Sequence, residues 1–222
     1  MKRFQLFLLS FFILMCFPLV SFSGNVDTFG IGAKATALGG AYSAYANGPF
    51  AVYYNPAGLT QIKKPMVSVG LEIMNPTLKV DNYKAKDSSS NEVQPYDKNL
   101  TDTSPSLLIP AAGFAIPLND KFTFGFATYV PYGLHIKWDS NNLHNAGAYN
   151  SFESYYMRIV ATPTIAYKIS DKLSIGFGVS IGRSYSGSQR RIYAPGTPLN
   201  NQVIKGNIYG CCKLLLQHRY YV

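Results

Sequence analysis

The chain has 222 residues, of which 47% are hydrophobic, 14% aromatic and only 14% charged, well below the ~25% charge of an average soluble domain. Its formal net charge is +9, yet no dense basic run or nucleic-acid motif accompanies that excess, so no nucleic-acid partner is expected. Beyond the amino terminus no stretch approaches the ~20 continuous apolar residues of a membrane helix, so a spanning structure would have to be built of strands.

Lys2 and Arg3 precede an apolar run from Phe4 to Val20, interrupted only by Gln5, Ser10 and Pro18. Ser21 and Ser23 then supply small residues for a signal peptidase, so residues 1–23 read as a cleaved export signal. The alternative is an anchoring helix, for which Pro18 and an apolar run of roughly 17 residues are marginal. Cleavage removes Lys2 and Arg3 and lowers the net charge from +9 to +7 (9 − 2), an excess suited to anionic lipid head groups or anionic ligands. Cys16 leaves with the signal, and Cys211 and Cys212 are adjacent, without metal-ligand spacing; no metal and no cofactor are expected.

Residues 24–64 are rich in Gly and Ala and show no sustained alternation. They suit a compact plug inside a lumen, where polar backbone finds partners away from lipid. A flexible leader is the alternative, which the aromatic content disfavours. After Pro65, Val67, Val69, Leu71 and Ile73 alternate with Ser68, Gly70 and Glu72, a first strand with one apolar face. A polar stretch from Asp81 to Thr103 reads as a long exposed loop. Leu108, Pro110, Ala112, Phe114 and Ile116 mark a second strand, closed by the turn residues Pro117 to Asp120. Phe122, Phe124 and Phe126 mark the outer face of a third, with extended character continuing through His135, Ile136 and Trp138.

A fourth strand is expected from about Ser154 to Ile169, with Tyr155, Ile159, Ile165 and Tyr167 on one face. Between its two tyrosines lie ~28 Å of rise, close to the ~25 Å apolar band of an outer-membrane barrel with aromatic girdles. Pro163 removes a ladder donor and is expected to mark a bulge or local irregularity. After the tight turn Ser170-Asp171, Leu173, Ile175, Phe177, Val179 and Ile181 alternate with Ser174, Gly176, Gly178, Ser180 and Gly182: one oily face and one small face. A sixth strand is expected from Val203 to Tyr209. Short turns alternate with long loops, the rhythm of a transmembrane antiparallel β-barrel rather than of a soluble sandwich. The expected division is signal 1–23, plug 24–64, partial wall 65–209 and an atypical tail 210–222 that reads as truncated or frame-shifted.

The segment GAKATALGGAY at 32–42, the motif Asn55-Pro56-Ala57-Gly58-Leu59, and YVPYGLHIKW at 129–138 together resemble the FadL/TodX (OMPP1) family of outer-membrane transporters. The resemblance covers most of residues 24–191. It implies an all-β, 14-stranded monomeric barrel with an N-terminal hatch, located in the outer membrane of a Gram-negative-type bacterium. Only about five or six strands precede Val222, so a truncated product is the simplest expectation. The resemblance implies passive uptake of hydrophobic molecules, long-chain fatty acids or aromatic hydrocarbons, with outer-membrane lipid and lipopolysaccharide as surroundings.

Three roles carry over. Asn55, Pro56, Ala57 and Gly58 would form the hatch motif; an ordinary Asn-Pro turn is the alternative. Pro131, Tyr132 and Gly133 would form a kink that opens the wall laterally; the alternative is that the strand ends there. Arg190, inward when counted by two from Ser174, would face a ligand carboxylate, or else meet lipopolysaccharide phosphates at the rim. Arg158 and Lys168 are inward by the same count and read as lumen-wall polar residues.

Two further function classes need stating. A general porin should carry a charge-lined constriction, whereas the inward positions here are mostly Ser, Gly, Ala and Thr. An outer-membrane lipid-modifying enzyme would draw on His135 or His144 with Ser140 or Ser151, but no Gly-x-Ser-x-Gly elbow occurs and no catalytic residue is assigned.

Overall fold

The computed structural model describes residues 30–86, 91 and 99–221, with side chains as far as Gly210. The segment expected to be an export signal and the first residues of the expected plug lie outside the described residues. Two short α-helices, α1 (Ala33–Ala37) and α2 (Ala51–Tyr54), and the 3-10 turns Ser43–Tyr45 and Pro56–Gln61 make up the amino-terminal unit. Among the described residues eight strands follow: β1 (Met66–Met74), β2 (Lys79–Val80), β3 (Leu100–Thr101), β4 (Leu107–Pro117), β5 (Phe122–Lys137), β6 (Glu153–Lys168), β7 (Ser174–Arg191) and β8 (Val203–Tyr221).

Six of these form one antiparallel sheet in the order β1-β4-β5-β6-β7-β8, and β2 and β3 pair separately within the long connection between β1 and β4. Each strand is joined to its neighbour in the sheet by an up-and-down step, so the sheet is an open meander with β1 and β8 at its edges.

Burial follows the alternation. On β7, Ser174, Gly176, Gly178, Ser180 and Gly182 are buried while Ile175, Phe177 and Ile181 are exposed. On β1, Val67 and Val69 are 74% and 81% exposed, so the apolar residues face outward. The hydrophobic core lies on the other side. Ile31, Tyr42, Val52, Tyr54, Leu59 and Ile62 of the amino-terminal unit pack against Ala111, Ala115, Ala127, Tyr129, Val160 and Ala166 of the wall. The plug therefore occupies the small-residue face of the sheet.

Small residues are there because the plug approaches so closely. A Cβ added to Gly176 would overlap the backbone of Pro56 and Ala57, and one at Gly125 would lie 2.8 Å from Leu59 Cδ1. Gly113 is held in the same way against Pro49. At the other end of the plug, Gly32 (φ 85) adopts a left-handed conformation that a side chain would strain, and the Phe50 ring packs against it. The Glu72 Oε1 of β1 accepts hydrogen bonds from Gly32 N and Thr36 Oγ1, both at 3.1 Å, tying α1 to the wall.

One sequence expectation is met in one of its two forms and another needs correcting. Pro163 marks a local irregularity and not a bulge: it stands in register opposite Phe126, and the β6–β7 pairing keeps step from Ala161↔Ile181 to Thr164↔Gly178. What is lost is local pairing at Thr162 and Pro163, and the same two strands are bridged there by Thr162 Oγ1 and Ser180 Oγ at 2.9 Å. The sixth strand also runs further than expected, its backbone pairing with β7 to Tyr221. A register shift between Gly182 and Ser184 on β7 inserts an extra β8 residue, which breaks the alternation by which a strand is recognised in sequence.

Candidate functional site: hatch, lateral window and upper lumen

The Asn55-Pro56-Ala57-Gly58-Leu59 segment is buried where plug meets wall. Asn55 is extended and caps the 3-10 turn that Pro56 begins, where a missing N–H costs nothing. Its Nδ2 donates to Ser43 O (3.1 Å), joining the two halves of the plug, and Gly58 N returns to Asn55 O (2.8 Å). Gly58 has no alternative: a Cβ there would collide with Ala46 O. Thr60 Oγ1 then donates to Ser174 Oγ at 3.0 Å, a direct bond from hatch to β7. Within the plug, Tyr54 and Tyr42 pack edge-to-face at 5.2 Å and Tyr54 Oη accepts the Ile31 N–H at 2.6 Å. Burial holds the phenols of both tyrosines above their ordinary pKa.

The β5–β6 register shifts between Tyr129 and Tyr132. Tyr129 pairs with Val160 and Tyr132 with Arg158, so Val130 and Pro131 together oppose Ile159. That is a β-bulge, favoured by the N–H that Pro131 does not have. The strand does not end there: pairing resumes and runs from Tyr132 to Lys137. Gly133 is back in register opposite Met157, has no left-handed φ, and has no atom within 4 Å of where a Cβ would stand.

Two consequences follow. One extra residue inverts the parity of the rest of β5. Below it Thr123, Gly125, Ala127 and Tyr129 face the plug; above it the inward residues are Tyr132, Leu134 and Ile136, opposite Arg158, Tyr156 and Ser154. His135 and Lys137 correspondingly face outward. The second consequence lies on the other edge of β5. The β4–β5 ladder runs from Pro117↔Thr123 to Ala112↔Thr128 and stops. Beyond it β4 goes on pairing with β1 as far as Leu107, and β5 with β6 as far as Lys137. Pro110 and Pro131, neither with an N–H to donate, stand on opposite sides of the gap. At its top the gap is bridged again: Thr103 N donates to Lys137 O (2.7 Å) and Asp102 Oδ1 accepts from Lys137 N (2.9 Å). Asp102 is buried and also takes Ser104 N and Oγ, each at 2.9 Å. The β4–β5 ladder is thus interrupted between Thr128 and this latch, over a stretch where Val130 and Pro131 are buried.

Facing the lumen beside the bulge, Tyr129 Oη, Thr162 Oγ1 and Ser180 Oγ form a buried chain with both steps at 2.9 Å. Arg158 lies next to it, packed over Gly182, where a Cβ would sit 2.8 Å from the guanidinium. Its Nη2 is buried and has no hydrogen-bond partner among the described residues. Around it the inward positions are greasy: Tyr132, Leu134, Ile136 and Tyr156, with Ile204 and Ile208 of β8 on the same face.

Arg190 keeps the same face as Ser174, since the register of β7 with β6 is unbroken; it is exposed near the end of the strand, opposite Ile204. Arg191 faces outward and is committed, donating from Nε to Ser140 O and from Nη1 to Asn201 O (2.6 Å). Lys168 sits at the short-turn end and pairs with Asp171 at 2.6 Å. His135 pairs with Glu153 at 3.0 Å, and the Ser151 hydroxyl bonds Ser154 and Ser188 on the other face. His144 pairs with Asp139 at 2.8 Å in the loop before β6.

The sequence parity could not find the inward Tyr132, Leu134 and Ile136, because the bulge that turns them is a one-residue event. Pro131 was its only signal.

Residues 23–206 match the model of a family described as outer membrane protein transport protein (OMPP1/FadL/TodX). The chain is 25% identical over 174 residues to a long-chain fatty acid transport protein of Escherichia coli, an alignment covering 77% of this chain and 37% of that protein. It is 26% identical over 191 residues to outer membrane protein P1 of Haemophilus influenzae, covering 81% of this chain and 40% of that protein. The crystal structure of a Pseudomonas aeruginosa FadL homologue superposes with a TM-score of 0.68 at 18% identity, covering 89% of this chain and 48% of the homologue. The chain therefore spans less than half the length of these relatives.

Proposed function

Because the chain belongs to the OMPP1/FadL/TodX family of outer membrane transport proteins, we propose that it forms the hatch, window and first part of the lumen of a passive transporter for hydrophobic molecules. Long-chain fatty acids are the first substrate class and aromatic hydrocarbons the second. The chain is exported by cleavage of residues 1–23 and works as a monomer in the outer membrane of a Gram-negative-type bacterium. The solute binds the greasy upper lumen and moves toward the bilayer through the window between β4 and β5 when the hatch shifts. Lateral exit suits such a solute, which is more stable in hydrocarbon than in aqueous periplasm. No energy source beyond its gradient is required.

The observation that carries this proposal is the pairing of an apolar wall with one cation. Tyr132, Leu134 and Ile136 line the lumen beside Arg158, whose buried Nη2 has no partner among the described residues. A buried, unsatisfied guanidinium nitrogen is costly unless a ligand oxygen completes it. A fatty acid offers the matching pair: a carboxylate for the guanidinium and an alkyl chain for the wall. Arg190, exposed higher on the same face, serves as a first contact for the same carboxylate.

Uptake of labelled oleate and of the corresponding fatty alcohol tests this. Charge-assisted hydrogen bonds contribute about 1.5–3 kcal/mol, so Arg158→Gln should weaken saturable binding of the acid by about tenfold to a hundredfold. The alcohol should change little. Equal loss for acid and alcohol would remove the carboxylate role from Arg158. Leakage of small sugars with no saturable oleate uptake would favour a general porin instead.

A further inference from the structure

The outward face of the wall changes character over its last rows, and the bulge in β5 is part of the reason. Register places Met157, Tyr185 and Tyr209 side by side on that face across β6, β7 and β8. The next row toward the long loops is His135, Tyr155, Gly187 and Asn207, and the one after is Lys137, Glu153, Gln189 and Lys205. Side-chain contacts agree: the His135 and Tyr155 rings lie 5.9 Å apart, and Tyr155 crosses Gly187 to donate to Asn207 Oδ1 at 3.1 Å. In outer-membrane barrels the long-loop end is extracellular. Tyr155 and Tyr167 bracket ~28 Å of outward apolar face, so the lysine row is the first beyond the hydrocarbon.

That row is net cationic at its surface. Glu153 is sunk, 13% exposed, and its oxygens are taken up by His135 (3.0 Å), Lys137 (3.8 Å) and Gln189 Nε2 (2.8 Å). Lys137 stands out at 44% exposure, and Lys205 at the other end is exposed with no polar partner among the described residues. Lower down, Arg183 faces outward opposite Ile159, inside the apolar band. Its guanidinium lies 5.1 Å over the Tyr185 ring, on the side of the long-loop end. A lipid-facing arginine is costly unless its head snorkels to an anion.

Resting on the outer-membrane reading above, we propose that this face is a docking site for a phosphorylated glycolipid of the outer leaflet, of the lipopolysaccharide type. Lys137 and Lys205 grip its phosphates at the rim and Arg183 reaches up to the headgroup beside Tyr185. The two lysines stand three strands apart, roughly 14 Å, which suits a headgroup carrying more than one phosphate rather than a simple phospholipid. Tyr185 and Tyr209, with Tyr155 in the next row, support the sugars and the upper acyl chains.

The test uses the protein in detergent with fluorescent bisphosphorylated lipid A, its monophosphoryl form, phosphatidylethanolamine vesicles and inorganic phosphate as competitor. At on the order of fivefold per cation near an anionic surface, Lys137→Gln/Arg183→Gln/Lys205→Gln should bind lipid A about a hundredfold more weakly. The monophosphoryl lipid should bind wild type less well, the vesicles least, and millimolar phosphate should fail to displace lipid A. Equal lipid A binding by wild type and triple variant overturns the proposal, as does displacement by phosphate alone. Should the triple variant not fold, Arg183→Gln and Lys205→Gln singly keep the test intact, since neither head has a hydrogen-bond or ion-pair partner among the described residues. Oleate uptake is read in parallel: lost lipid binding with normal uptake, or the reverse, separates this site from the transport function.

Discussion

Replacing Gly176 with valine probes the contact on which hatch seating depends. Its Cβ would fall on the backbone of Pro56 and Ala57, not on the end of a flexible side chain, so neither partner can rotate away. Pro56 and Ala57 are themselves buried, and Gly58 behind them is pressed on Ala46 O, so the hatch has no slack to retreat into. Overpacking of a well-packed interior costs about 1–3 kcal/mol, and a backbone obstacle puts this site at the upper end. At about 3 kcal/mol the balance between seated and unseated hatch moves by roughly a hundredfold. Hydrogen exchange of the amides from Gly58 to Ile62 reads that balance, and should accelerate by about two orders of magnitude in the folded variant. Gly133→Ala is the matched control, since its Cβ meets nothing within 4 Å, and should stay within about 0.5 kcal/mol of wild type. If Gly176→Val leaves exchange at Gly58 to Ile62 unchanged in a folded barrel, the hatch does not rest on β7 and the close-approach argument fails.

Other expectations are independent of that contact. Deleting Val130 should restore regular β5–β6 pairing and turn Tyr132, Leu134 and Ile136 outward, so spin labels at Leu134 should move from a lumen to a lipid environment. Asp102→Ala removes acceptors from Lys137 N, Ser104 N and Ser104 Oγ; it should destabilise the top of the window by about 1–3 kcal/mol and speed exchange at the Lys137 amide. Asp139 has its carboxyl pKa held below the ordinary value near 3.8, by the Asn141 N–H and then by the His144 side chain. A lowered carboxylate pKa means the loop's added stability is complete above that ordinary value and is lost as pH falls through the lowered one. Proteolysis of the 139–152 loop should therefore rise only in that acid window, and Asp139→Asn should abolish the dependence.

Much of the wall was legible because period-two alternation is a local property. Val67 to Ile73, Leu108 to Ile116 and Leu173 to Ile181 each declare their faces within a few residues, and the structure exposes or buries them accordingly. The small face of β7 was legible as small, but not why: Gly176 answers to Pro56 and Ala57, more than a hundred residues away. Pro163 was legible as a break but not as which kind: a missing donor interrupts local pairing without shifting register when the neighbouring strand supplies Ser180 to bridge it. The short pairing of β2 with β3 was invisible in a polar stretch that lacks any alternation. Arg158 could be counted inward, but its unsatisfied nitrogen depends on what surrounds it, which spacing does not encode.

One inserted residue ties the candidate transport features together. By opposing Ile159 with both Val130 and Pro131, β5 bends and twists where its ladder with β4 has just stopped, so the break in pairing and the bulge lie side by side. The same residue sends Tyr132, Leu134 and Ile136 into the lumen beside Arg158, where strict alternation would have spent them on lipid. It also turns His135 and Lys137 out to the rim, where strict alternation would have placed a lysine and a histidine inside the lumen. A strand without the bulge would therefore lose the greasy lumen patch and the cationic rim together. That coupling makes the three features a single design rather than separate accidents of sequence, and the Val130 deletion discriminates: it should abolish acid-selective uptake and weaken lipid A binding in the same protein, whereas independent features would fail one at a time.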